Sequence, residues 1–275
     1  MRRIDAHQHF WRLDRGDYGW LTPALASIYR NFLPDDLAPL LQKHGIAGTV
    51  LVQAAPTDAE TEFMLSLAGE HEFIEGVVGW CDFAAADAPA KIAQLAGRAK
   101  LKALRPMIQE IADIDWMLRP ELEPAYSALI AHDLAFDALV FPRHLENLAK
   151  LLARYPAMRT VVDHCAKPEI AAGDFHDWAA RMKVIATGSN AFCKLSGLVT
   201  EAGGDWNVGR LRPYVDHVLS VFGPERVIWG SDWPVCTLAA SYDEWNAATD
   251  ALLSVCTQEE RAAILGGNAV AFYRL

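Results

Sequence analysis

Residues 3–10 read RIDAHQHF. On a β-strand, successive side chains alternate between faces, so His7 and His9 point the same way, roughly 7 Å apart along the strand. Both rings can then reach one small object between them, whether a metal ion, a substrate or a buried carboxylate. Seven further β-rich segments follow: GTVLVQA (48–54), IEGVVGWCD (74–82), KLKALRP (100–106), LAFDALVF (134–141), RTVVDHC (159–165), AFCKLSGL (191–198) and RVIWGSDWP (226–234). Amphipathic runs lie between them, among them PDDLAPLLQKHG (34–45), DAETEFMLSLAGEH (58–71), PAKIAQLAGRA (89–99), PELEPAYSALIAHD (120–133), LENLAKLLARYP (145–156) and LRPYVDHVLSVFG (211–223). Several of these runs end at Gly or Pro, as helices do. Strands alternating with helices imply a parallel sheet. Eight such units predict an α/β fold of one domain over residues 1–275, a (β/α)₈ TIM barrel with its active site at the C-terminal mouth. An open doubly wound sheet is the rival, but no G-x-G-x-x-G follows the first strand.

Composition narrows the function. Hydrophobic residues make up 52% of the 275, enough for a sizeable core. A net charge of −10 speaks against nucleic acid and anionic membrane as partners. Five cysteines, at 81, 165, 193, 236 and 256, show no C-x-x-C pair, which fits free thiols in a reducing cytosol. The basic start MRR is not followed by an apolar signal core, and no apolar run approaches the ~20 residues of a membrane span. A cytoplasmic enzyme is expected, with homo-oligomerisation left open.

In a barrel the C-terminal end of every strand opens on one mouth. Polar residues stand at all eight ends: His7 and His9, Gln53, Trp80 and Asp82, Arg105, Asp137, Asp163 and His164, Lys194 and Ser196, and Asp232. Each alone has an ordinary structural reading, as half of an ion pair or a satisfied core histidine. Together they are costly to bury without a purpose. H-x-H on the first strand, a His on the sixth and an Asp on the eighth make a set of metal-type ligands, His7, His9, His164 and Asp232. Two long connections, residues 11–34 and 199–209, are expected to wall the mouth.

The H-x-H of DAHQHF, together with KLKALRPMIQ, LVFPR, VVDHCAKP, CKLSGLVTEA and GSDWPVCTLAASYDE, resembles the amidohydrolase superfamily, in its sugar-lactonase branch. That branch contains L-fuconolactone and L-rhamnonolactone hydrolases and a pyrone-dicarboxylate lactonase. The resemblance implies a barrel that hydrolyses a cyclic ester. Many members carry a carboxylated lysine at the end of strand four, bridging two metals. Here Arg105 stands near that place and strand five offers Asp137 rather than histidine, so at most one divalent ion is expected, Zn²⁺ by donor chemistry, with turnover not strictly dependent on it.

Lactone hydrolysis needs a water deprotonated, a carbonyl polarised and an oxyanion stabilised. Asp232 is the expected base, His164 the polarising group, and Arg105 the oxyanion or hydroxyl contact. Gln53, Trp80, Asp137, Lys194, Trp206 and Trp233 are expected to bind a polyhydroxylated ring. A dicarboxylate would call for several arginines, and beyond Arg105 the mouth offers only Arg143, which favours a sugar lactone. A pyrone-dicarboxylate lactonase and a metal-dependent decarboxylase are the alternatives.

Overall fold

A computed structural model describes residues 2–275. Eight parallel strands form one sheet in sequence order: β1 (Arg3–Gln8), β2 (Ile46–Val52), β3 (Ile74–Gly79), β4 (Leu101–Leu104), β5 (Ala135–Ala138), β6 (Thr160–Val162), β7 (Phe192–Leu195) and β8 (Val227–Trp229). The ring closes just above β8, where Asp232 N donates to His7 O at 2.7 Å and His9 N donates to Trp233 O at 2.7 Å. The expected (β/α)₈ barrel is the observed one.

The surrounding helices are α1 (Pro34–His44), α2 (Asp58–Glu70), α3 (Ala88–Ala96), α4 (Glu123–Ala131), α5 (Leu145–Arg154), α6 (His176–Gly188), α7 (Leu198–Ala202), α8 (Val208–Phe222), α9 (Tyr242–Leu252), α10 (Gln258–Ala262) and α11 (Asn268–Tyr273). Helix α6 shows no clean amphipathic run in the sequence. It buries Trp178, Ala179, Met182, Ile185 and Ala186, a helical spacing. Its face is blurred in sequence by small and polar residues such as Thr187 and Gly188. No helix among the described residues is long and apolar enough to cross a membrane.

The barrel interior is lined by small and β-branched residues, including Ala6, Val50, Val78, Ala103, Ala135 and Val161, and is filled by Phe272 and Tyr273 of α11. Ahead of that helix the chain presses on the start of β1, and a Cβ on Gly266 would lie 2.0 Å from Arg2 O. Glycine is therefore required there.

Strand β1 is not regular. Ile4 and Ala6 belong to the interior cluster, yet His7 also faces inward and meets groups from β6 and β7. Neighbouring residues of an unbroken strand cannot share a face. The register against β2 shifts between Asp5 and Gln8, so one extra residue is accommodated there and the side chains beyond it change sides. The His7 N–H is taken up at 3.3 Å by the Asp5 carboxylate, which also accepts from Ser231 N at 2.8 Å and from Tyr242 OH at 3.1 Å. Beyond the shift, His7 and His9 share the inner face as the sequence predicts.

The first long connection folds over the mouth. Trp20 Nε1 donates to Ala54 O at 2.7 Å and Tyr18 OH donates to Glu60 Oε2 at 2.7 Å, while Ala54 N donates to Glu60 Oε1 at 3.0 Å. Arg15 adds an ion pair to Glu60 at 3.3 Å. Burial pushes the Glu60 carboxyl up to about 7 from 4.5, against the pull of the Ala54 and Tyr18 hydrogen bonds and the Arg15 charge. Between those two values the folded protein keeps a proton that the unfolded chain has released, so this group's contribution to stability falls as pH rises. Glu60→Gln cannot ionise. Its unfolding free energy relative to the wild type should therefore increase by about 1–3 kcal/mol between pH 4.5 and 8. Urea denaturation of both proteins at the two pH values measures this, and a gap that does not move with pH rules out the ionisation.

Candidate active site

The groups gather around one carboxylate. Asp232 Oδ1 lies 3.2 Å from His9 Nε2, 3.7 Å from His7 Nε2 and 3.9 Å from His164 Nε2. The rings of His7 and His164 are 4.4 Å apart between centroids, and those of His7 and His9 are 5.0 Å apart. Two glycines make this crowding possible. A Cβ on Gly230 would lie 2.6 Å from His7 Cβ, and one on Gly197 would lie 2.6 Å from His164 Nδ1.

Each imidazole has its far nitrogen fixed. His9 Nδ1 is 2.7 Å from Val52 O. A carbonyl only accepts, so Nδ1 carries the proton, and in the neutral ring Nε2 turns a bare lone pair toward Asp232. His164 Nδ1 meets Ser196 Oγ at 2.9 Å. His7 Nδ1 meets the Lys194 ammonium at 3.2 Å and its Nε2 meets the Arg105 guanidinium at 3.4 Å. Both neighbours only donate, so whichever nitrogen bears the proton of the neutral His7 ring faces a cation. Burial, with Lys194 and His164 adding to it, holds His7 well below the ordinary histidine range. Burial likewise lowers His164 to about 4, although Asp232 and Asp163 pull the other way. Burial alone would raise Asp232, but its facing histidines outweigh that and hold it well below the usual carboxylate range.

His164 opens an unusual segment. His164, Cys165, Ala166 and Lys167 all have positive φ, from 51° to 58°, a left-handed turn built without glycine. Such residues cost of order 1–2 kcal/mol each. Asp232, at φ 59°, is a further instance. Strain of this kind persists where the surroundings over-determine it, and it clusters at functional sites.

Beneath the imidazoles lies a buried ionic layer. Lys194 Nζ is 2.5 Å from Asp137 Oδ2 and 3.1 Å from Asp163 Oδ1, and Arg105 Nη1 is 3.2 Å from Asp163 Oδ2. Tyr273 OH donates to Asp137 Oδ2 at 2.7 Å. Burial pushes Asp137 up to about 6 despite Lys194, whereas Lys194, His7 and Arg105 together overcome burial at Asp163 and hold it well below the usual range.

A pocket of about 160 Å³ opens over Asp232, His9 and His164, bounded by Trp20, Arg105, Met107, Gln109, Leu139 and Lys167, among others. The four predicted metal ligands therefore converge, and Asp232, His164 and Arg105 reach the pocket. Two donor sets, His7–His9–Asp232 and His7–Asp163–His164, bring their ligand atoms within 4.8 Å of one another. The six expected substrate contacts are placed elsewhere. Asp137 and Lys194 sit inside their strands, below the mouth, and are spent on each other. Gln53 braces Arg105, its Nε2 donating to Arg105 O at 2.8 Å and its Oε1 accepting from Arg105 Nη2 at 3.2 Å. Trp80 lines a neighbouring hollow with Trp116. Trp206 Nε1 donates to Ala239 O at 2.8 Å, outside the pocket. Trp233 packs edge-on against Phe10 and Phe32. The lining residues Trp20, Gln109 and Lys167 were not singled out. All three nevertheless lie in stretches that the sequence singles out: Trp20 in the first long connection, Gln109 at the end of KLKALRPMIQ and Lys167 in VVDHCAKP.

The chain matches the family model described as Amidohydrolase over residues 4–275. It is 48% identical to an L-fucono-1,5-lactonase of Burkholderia ambifaria, an alignment spanning 99% of this chain and 96% of the relative. A second L-fucono-1,5-lactonase, of Burkholderia multivorans, is 38% identical over 99% of this chain and 96% of its own length. A crystal structure of an amidohydrolase from Burkholderia multivorans with bound zinc superposes with a TM-score of 0.94 at 37% identity, covering 100% of both chains.

Proposed function

The chain belongs to the amidohydrolase family over residues 4–275, and from that premise we propose that it opens a sugar 1,5-lactone, of the L-fuconolactone kind, to the aldonic acid. The substrate class follows from the likeness to the two fuconolactonases. The observation that carries the chemistry is one ionised carboxylate, Asp232, facing three imidazoles at the floor of a pocket sized for a small molecule.

In this reading Asp232 takes a proton from water as the water oxygen bonds to the lactone carbonyl carbon. The acyl–oxygen bond of the ring breaks, and the same proton passes to the departing ring oxygen, leaving a carboxylic acid and a hydroxyl. His164, neutral at pH 7, acts through Nε2. If Ser196 donates to its Nδ1, Nε2 carries the proton and hydrogen-bonds the carbonyl as negative charge develops there. Arg105 is committed to Asp163 and Gln53, so it supports the floor and adds positive potential rather than gripping the substrate. A dicarboxylate would find no second arginine in the pocket wall. Turnover of a panel of aldono-1,5-lactones beside a pyrone dicarboxylate, followed by acid release, tests the reading. Activity confined to the dicarboxylate would overturn it. The five unpaired cysteines favour a reducing cytosol as its home.

His7, His9 and Asp232 are the residues that would hold a divalent ion, and two nitrogens with a carboxylate suit Zn²⁺. When bound, such an ion lowers the pKa of water and polarises a carbonyl. The fit is adequate at His9, whose lone pair already faces the carboxylate. It is poorer at His7, whose two ring nitrogens already face cations, Lys194 at Nδ1 and Arg105 at Nε2. The ion is therefore held weakly. Chelated protein, checked by elemental analysis, should keep a substantial share of its lactonase activity. His7→Ala and His9→Ala should cost more than chelation does, because they also remove groups that order water. Complete loss on chelation, restored by stoichiometric Zn²⁺, would show instead that the metal is essential.

A further inference from the structure

The reacting groups occupy only the floor of the pocket, and its wall carries polar groups that the chemistry leaves unused. Lys167 lines the pocket at the end of the left-handed turn that begins with His164, and its backbone N–H closes that turn onto His164 O at 2.8 Å. Among the described residues its ammonium has no hydrogen-bond acceptor. Glu201 Oε1 stands off at 3.8 Å, and the Phe141 ring centroid lies 5.6 Å away. On the same wall, after β4, the Gln109 side-chain oxygen is enclosed with no hydrogen-bond partner. Lys167 thus brings an unpaired cationic donor to the pocket, and Gln109, which also lines it, holds an unpaired amide acceptor just behind the wall. A buried acceptor left unmade is expensive, and a turn of the Gln109 side chain, at the cavity wall, lets a ligand satisfy it. An apolar acyl ring offers these groups nothing, whereas a ring bearing hydroxyls offers both an acceptor and a donor.

We propose that Lys167 and Gln109 are specificity-determining residues that read the ring hydroxyls of the lactone, Lys167 by donating to one and Gln109 by accepting from another. This rests on the lactonase reading above. Because His164 and Lys167 leave a single turn, a lactone whose carbonyl sits at His164 presents the hydroxyls nearest that carbonyl to Lys167. A site built to hydrogen-bond a hydroxyl discriminates strongly against an analogue lacking it, since the protein group is then left unpaired.

The test compares L-fucono-1,5-lactone with δ-valerolactone, the same ring without hydroxyls, each as the ratio of variant to wild-type kcat/KM. Lys167→Met keeps length and removes the donor. It should lose about 10- to 100-fold on the hydroxylated lactone and stay within about threefold on δ-valerolactone, which also shows that the variant is folded. Gln109→Leu should shift the same ratio in the same direction, and it carries the test alone if Lys167→Met does not fold. Lys167→Arg, which keeps a donor, should recover most of the preference. Equal losses on both lactones would make Lys167 and Gln109 supports of the catalytic geometry and overturn the proposal, as would no loss on either. In those two outcomes the wild type still hydrolyses the sugar lactone and the lactonase reading stands. A wild type inactive on the sugar lactone overturns the reading and the proposal together.

Discussion

Asp232→Asn should lower kcat on an aldonolactone by about 10²- to 10⁴-fold, the usual contribution of a positioned acid–base group. KM and stability should change little. The amide is isosteric with the carboxylate, and the facing rings of His7 and His164 are held neutral. The amide cannot accept the water's proton, and it cannot deliver one to the ring oxygen. The loss should therefore fall on kcat, because the interaction removed is made in the transition state. Steady-state kinetics with a thermal melt checks both halves. Turnover within about threefold of the wild type would place the base elsewhere.

Lys194→Met should destabilise the protein by about 3–5 kcal/mol, the cost of removing one member of a buried ionic group. Lys194 is fully buried and is the cation between Asp137 and Asp163. Without it Asp163 keeps Arg105, but Asp137 keeps only the Tyr273 hydroxyl. Asp137, already raised to about 6, then stays protonated at neutral pH. Adding Asp137→Asn to Lys194→Met should consequently restore part of the lost stability, a coupling that the four corners of a double-mutant cycle in urea would expose. Strictly additive single effects would show that the pair acts as two independent packing groups.

The reading of eight strands and their polar ends carried over because period-two β-rich runs and Gly- or Pro-terminated helices are local signals. Convergence of His7, His9, His164 and Asp232 followed from barrel geometry alone. Depth along each strand was not legible. Asp137 and Lys194 lie within β5 and β7, while Asp163 and His164 follow β6 and Asp232 follows β8. A displacement of one or two residues separates a group that meets substrate from one locked in the layer beneath. The tryptophans misled for another reason. An indole can be a sugar platform or a packing piece, and only the tertiary partners of Trp80, Trp206 and Trp233 decide between them. Gln109 and Lys167 became visible only as groups without partners, a property that no sequence displays.

The irregular step in β1 makes the strand unevenly tolerant of changes in length. Up to Ala6 the strand serves the scaffold, and from His7 it serves the pocket. Loss of the Ala6 codon removes the extra residue: pairing with β2 then runs straight on, and His7 and His9 still face inward. Loss of the Gln8 codon joins the two histidines directly, and neighbouring residues of a strand face opposite ways. One imidazole would then turn toward the helix layer. A three-nucleotide deletion is thus mild at one position of this strand, and two codons further on it is as severe as replacing a histidine.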